Sequence, residues 1–175
     1  DPRWRCSLFG GLRVSHGDRV IRDFETRKNA ELLAYLALHL DRPPRREALA
    51  ELLWPDIETE PQRANFKTAL ASLRRILAGA PAEADGPLRA DRVTAELDPA
   101  RTWVDAVEFL GLLRQADDGD GQSDVVALKQ AIAMYEGDLL PDLFGAWVEE
   151  RREHLQRRFL YAVERVVAWN EQSGE

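Results

Sequence analysis

The chain has 175 residues, 45% of them hydrophobic and 31% charged, with a net charge of −7. That length allows one or two domains, and the apolar share is ample for a core. No run of apolar residues is long enough for a helical membrane span, and Cys6 is alone, so no internal disulfide can form, as expected of a reducing cytoplasm.

The opening Asp1-Pro2-Arg3-Trp4 carries neither Met nor a signal-type apolar segment, so a piece excised from a longer protein is expected. Charge is unevenly spread. Residues 1–100 hold 16 Lys+Arg and 16 Asp+Glu, whereas residues 101–175 hold 8 and 15. Two modules with different partners are expected. Acidity overall argues against a non-specific nucleic-acid coat protein, but it allows a sequence-specific binder with one basic face.

In chain order, Trp4, Cys6 and Leu8 alternate with Arg5, Ser7 and Phe9 as in a half-buried strand, which Gly10-Gly11 ends. Leu12 and Val14 predict a second strand, His16-Gly17-Asp18 a turn, and Val20-Ile21 a third strand. Thr26 is placed to cap a helix running to about Leu40, with Leu32, Leu33, Leu36 and Leu40 on its apolar side. Asp41-Arg42-Pro43-Pro44 stops it. A short helix from Glu47 to about Trp54 buries Leu49, Leu52 and Leu53.

The next stretch is the most telling. No acidic residue occurs from Pro61 through Ala82, yet Arg63, Lys67, Arg74 and Arg75 all do. At helical spacing Phe66, Leu70, Leu73 and Leu77 form one stripe. The far side carries Ala64, Thr68, Ala71, Ser72 and Arg75, flanked by Asn65 and Lys67. Small residues let a backbone approach a ligand, and Asn, Thr, Lys and Arg reach base edges and phosphates. Thr59 is placed as the cap, and Glu60 and Pro61 suit a first turn. By itself such a face is more often that of a solvated surface helix, because basic faces are common.

Gly79 and Pro81 are expected to terminate this helix, before a loose segment over 82–87. Leu88–Ala90 and Val93–Ala95 then flank Asp91-Arg92 as a candidate hairpin. A short helix, a turn, a basic helix and a hairpin describe a winged helix-turn-helix, with the last helix in a major groove and the hairpin on an adjacent groove or phosphate. The order of elements therefore favours the DNA-binding reading.

After Leu97-Asp98-Pro99 the composition changes. Residues 103–116 predict a helix with Val104, Val107, Leu110 and Leu113 as its stripe. The acidic loop from Asp117 to Gly121 lacks EF-hand spacing and a closing Glu, so it is not read as a calcium site. Ser123 or Asp124 caps a helix to Tyr135 burying Val125, Leu128, Ile132 and Tyr135. A long helix follows from about Ala146 to about Glu171, with Val148, Leu155, Phe159, Ala162, Val166 and Trp169 as its apolar series. Stacked helical hairpins of this kind expect a neighbour, either further helices or a second chain. His16, His39 and His154 stand apart without metal-ligand spacing, and no nucleophile elbow or glycine-rich phosphate loop occurs. No enzyme, catalytic residue, metal or cofactor is expected.

The runs Thr26-Arg27-Lys28 … Leu33-Ala34-Tyr35-Leu36, Arg46-Glu47-Ala48-Leu49-Ala50-Glu51-Leu52-Leu53-Trp54-Pro55-Asp56 and Arg63-Ala64-Asn65-Phe66 … Leu73-Arg74-Arg75 resemble the SARP/AfsR-type bacterial transcriptional activators. So do Val104-Asp105 … Phe109, Tyr135-Glu136-Gly137-Asp138-Leu139-Leu140 and Trp147-Val148-Glu149-Glu150-Arg151-Arg152. The resemblance implies a mainly α fold with small antiparallel β: an OmpR-like winged helix over 1–98, and a tetratricopeptide-like bacterial transcriptional activator domain over 99–175. It implies activation at promoters, usually at direct repeats of double-stranded DNA, with RNA polymerase as a further partner and a homodimer or longer chain. Asn65, Thr68 and Ser72 would read bases. Arg63, Lys67, Arg74 and Arg75 would contact groove or phosphate, and Thr26, Arg27 and Lys28 would hold backbone phosphate. Arg89 and Arg92 would serve as wing contacts, and Arg46 joins the DNA-binding set. The sequence departs from the family pattern at Arg45 (often Ser), Lys67 (more often Arg) and Ser72 (often Arg). The lost cation predicts modest DNA affinity or a need for a dimer. The alternative is a protein-interaction module whose winged helix touches no DNA.

Overall fold

Alternation at the front of the chain is realised as three short strands, β1 (Trp4–Ser7), β2 (Arg13–His16) and β3 (Arg19–Ile21). The computed structural model describes residues 3–78, 86–119 and 122–173. The proposed terminators Gly79 and Pro81, and the loose segment as far as Asp85, lie outside them. The described chain is mainly helical and forms two compact units, one of residues 1–6 and 13–103, the other of 7–12 and 104–175.

In the first unit a sheet runs in the order β3-β2-β1-β6, where β6 is Thr102–Val104. β2 and β3 pair antiparallel, with Val14 opposite Ile21 and both buried. Trp4 is fully covered, stacks on His16 with ring centroids 4.5 Å apart, and donates its backbone N–H to Arg101 O at 2.8 Å. Three helices follow: α1 (Arg27–Leu38), α2 (Arg46–Leu53) and α3 (Thr59–Ile76). Helix α3 packs on both α1 and α2, because Phe66, Leu70 and Leu73 on its apolar stripe are all buried. Leu32, Leu33, Leu36, Leu49 and Leu53 complete that core. The hairpin pairs β4 (Leu88–Ala90) with β5 (Ala95–Leu97).

Several boundaries differ from the sequence expectation. Thr59 is the first residue of α3 and not its cap; Glu58 holds the cap position without a side-chain hydrogen bond. The hairpin turn has four residues, Asp91–Thr94, since Ala90 pairs with Ala95. The Asp91 carboxylate accepts from the N–H groups of Val93 and Thr94, both at 2.7 Å, and these bonds hold it below the usual carboxylate range. A carboxylate that satisfies two backbone donors builds a wider turn than a bare dipeptide would.

In the second unit α4 (Asp105–Asp117) and α5 (Gln122–Met134) lie against one another, and α6 (Ala146–Ser173) packs on α5. The buried face of α4 is Ala106, Phe109, Leu113 and Ala116; Val107 and Leu110 sit at its margin. The expected boundary lies at 98/99. The compact units divide after Trp103, inside the strand Thr102–Val104, where the opening of a helix was expected. Asp105, buried at the start of α4, accepts from the N–H groups of Leu8 (2.9 Å) and Phe9 (3.1 Å), which anchors residues 7–12 in this unit. Burial pushes its carboxyl up to about 6, against the pull of those N–H donors. Arg152 on α6 donates to three carbonyls, those of Leu139, Leu140 and Leu143, at 2.7 to 3.0 Å. Leu140 has φ +47°, a left-handed conformation rare in a branched residue, and Arg152 holds the loop in that shape. Asp117, in the acidic loop not read as a calcium site, takes Arg158 and Arg165 of α6 at 2.8 and 2.9 Å.

Candidate nucleic-acid interface

Helix α3 lies with its stripe inward and leaves Arg63, Ala64, Lys67, Thr68, Ala71, Arg74 and Arg75 exposed. Asn65 is half-buried beside them. Lys67 makes no ion pair among the described residues. Thr68 Oγ1 donates to Ala64 O at 3.0 Å, so its donor is turned to its own helix while its lone pairs stay open. These residues form one exposed surface of small, polar and cationic side chains.

Ser72 does not belong to that surface. It is 8% exposed, accepts from Asn29 Nδ2 at 2.9 Å and donates to Glu25 Oε2 at 2.6 Å. Its hydroxyl is thus spent on α1 and on the turn before it, and it leaves the set of base-reading candidates. Helical periodicity could not reveal this, because both partners are more than forty residues away in sequence.

The cations divide by what holds them. Arg75 Nη2 meets both carboxylate oxygens of Glu25 at 2.8 Å. Arg27 and Lys28 both reach Glu31, at 3.1 and 3.0 Å, and the Glu31 side chain is only 6% exposed. Arg89 pairs with Asp98 at 2.7 Å. Arg63 pairs with Glu60 at 3.3 Å and Glu47 at 3.6 Å. Two others are held by carbonyls: Arg46 donates to Asp91 O at 2.6 Å, and Arg74 to Ala90 O at 3.4 Å. Arg92, exposed in the hairpin turn beside exposed Val93, has no such partner among the described residues. Thr26 caps α1, accepting from Asn29 N at 3.1 Å.

The acids that hold these cations were not among the expected site residues. Glu31 was detectable, since it stands three and four residues after Lys28 and Arg27 on one helix. Glu25 and Asp98 carry no such local signal. Arg19 was also missed: it donates to Ile76 O and Ala78 O at 2.7 and 2.5 Å and satisfies carbonyls at the end of α3. Glu25 itself has φ +67°, which costs a non-glycine residue about 1–2 kcal/mol. The hydrogen bond from Ser72 and then that from Arg75 hold its carboxyl below the usual range.

The wing is braced against the helix-turn-helix. Arg46 N donates to Val93 O at 2.9 Å, Ala95 N donates to Pro44 O at 3.2 Å, and Arg45 bridges Thr94. Helix, turn, helix and braced hairpin define a winged helix-turn-helix, followed in the second unit by tetratricopeptide-like helices.

Comparison with known proteins agrees with this architecture. Residues 104–175 match the family model of the bacterial transcriptional activator domain. The chain also superposes on a structure of Mycobacterium tuberculosis EmbR, solved in complex with a low-affinity phosphopeptide, with a TM-score of 0.82 and 23% identity. That match covers 99% of this chain and 47% of the other, so the chain spans about half its length. No curated protein matches. The domain match and the shared fold agree with the architecture that the resemblance implies, a winged helix followed by a bacterial transcriptional activator domain. No described helix is long and apolar enough to cross a membrane.

Proposed function

We propose that this chain is a sequence-specific DNA-binding transcriptional regulator of the activator type, working in the cytoplasm. Helix α3 enters a major groove of promoter DNA, and the turn of the hairpin, with Arg92, reaches the adjacent groove or phosphate. The observation that carries this reading is the outward face of α3: Ala64, Lys67, Thr68 and Ala71 are exposed while Phe66, Leu70 and Leu73 are buried. Asn65 and Thr68 are the base-reading candidates. Thr26, Arg27 and Lys28 at the start of α1 serve a backbone phosphate. The helical unit serves oligomerisation, coupling to a signal, or contact with RNA polymerase.

A second reading draws on the acids. Arg27, Lys28, Arg63, Arg75 and Arg89 all have carboxylate partners, as they would in a winged helix that binds protein and no DNA. Lys67→Ala separates the two. As a DNA binder the chain should shift a duplex in a salt-dependent way. Lys67→Ala should then weaken binding about tenfold and flatten the slope of log K against log salt by about 0.9. Indifference of the chain to duplex DNA at low salt would leave the second reading in place.

A further inference from the structure

The pairing of Glu25 with Arg75 limits what that arginine can do. A guanidinium offers two edges for paired hydrogen bonds, Nε with Nη2 and Nη1 with Nη2. Both include Nη2, and Nη2 is the atom placed 2.8 Å from each Glu25 oxygen. While that contact lasts, Arg75 has no clear two-pronged edge for a phosphate, although its side chain is 70% exposed. The carboxylate is held from behind. Ser72 Oγ donates to Glu25 Oε2 at 2.6 Å, Asn29 Nδ2 donates to Ser72 Oγ at 2.9 Å, and Asn29 Nδ2 also donates to Phe24 O at 2.8 Å. Asn29 and Ser72 are both buried. The turn bearing Glu25 is fixed by its N–H, which donates to Asp23 Oδ1 at 2.9 Å. This is an ordered arrangement from the core of α1 out to the tip of one arginine, and it places a negative charge immediately before the α1 cap, Thr26.

We propose that Glu25 is an internal competitor of DNA phosphate for Arg75, so that the chain in its free state withholds one of its phosphate contacts. The proposal rests on the DNA-binding reading above. A phosphate arriving at the start of α1 repels the Glu25 carboxylate, and Arg75 exchanges one oxyanion for another. Affinity is thereby lowered for a duplex that meets α3 alone, and the discount is recovered only where the backbone also meets α1.

Anisotropy titration of a labelled mixed-sequence duplex with the intact chain, repeated across a salt series, tests this. Glu25→Gln keeps an acceptor for Ser72 and removes the charge. It should tighten binding about three- to tenfold and steepen the salt slope by about 0.9, one further phosphate contact. Glu25→Gly, which also suits the left-handed backbone at this position, should do the same if Glu25→Gln misfolds. In an Arg75→Ala background the gain should shrink to the part that comes from removing a charge near the phosphate backbone. Equal or weaker binding by both Glu25 variants, or a gain undiminished by Arg75→Ala, would overturn the proposal while leaving the DNA-binding reading intact. Failure of the unmodified chain and of both variants to bind duplex removes the reading and the proposal together.

Discussion

Two sets of arginines, one in each unit, do opposite work. In the second unit Arg158 and Arg165 are 29% and 30% exposed and converge on Asp117, and Arg152 closes three carbonyls of a strained loop. In the first unit Arg27, Arg63, Arg75 and Arg89 are mostly exposed and each touches a carboxylate through a flexible side chain. The residue type is the same, but desolvation differs. A half-buried guanidinium that satisfies backbone carbonyls is part of the fold, since losing it strands acceptors away from water. An exposed pair contributes little to stability and can trade its partner. The carboxylates show the same contrast: burial raises Asp105, while hydrogen bonds from Ser72 and Arg75 lower exposed Glu25.

The sharpest way to break this contrast is Arg152→Ala. With three carbonyls left without their donor, the second unit should lose about 3 kcal/mol, read as an earlier midpoint in urea denaturation. A change below about 0.5 kcal/mol would put Arg152 with the exposed arginines. Next in size is the pH dependence of Asp105. Its folded pKa lies above its unfolded value, so the native state holds the proton more tightly. The contribution of this group therefore falls as pH rises from about 4 to about 6 and levels off above, by at most about 3 kcal/mol. Comparing denaturation midpoints across that window in the unmodified chain and in Asp105→Asn should isolate the decline, which the variant lacks. The smallest expected effect is Arg63→Ala, under about 0.5 kcal/mol in stability. A loss as large as that of Arg152→Ala would erase the distinction between the two sets.

How much of this was legible in the sequence depends on range. The helices announced themselves through periodic leucines, and the winged helix-turn-helix followed from their order. The inward stripe of α3 was read correctly because Phe66, Leu70 and Leu73 repeat at helical spacing. Strand β6 was not seen, since Thr102-Trp103-Val104 is too short for alternation to register. The face of α4 was misjudged by rotation: the large Val107 and Leu110 outweighed Ala106 and Ala116, yet alanines allow close packing and are the ones buried. In the candidate interface, exposure of Lys67 and Thr68 agrees with a helical wheel. Burial of Ser72 and the Glu25–Arg75 pair does not follow from one, because a wheel describes a single helix and these contacts join α3 to the turn before α1.

The brace between the hairpin and the start of α2 has a geometric consequence. Because Pro44, Arg45 and Arg46 all bond to residues 93–95, the reach from Arg92 to the exposed row of α3 is a fixed ruler and not a tether. Under the proposed function, a site with its two contact points out of helical phase could not be accommodated by flexing the turn. It would be rejected outright, so operator spacing would be measured by three consecutive residues that themselves read no base.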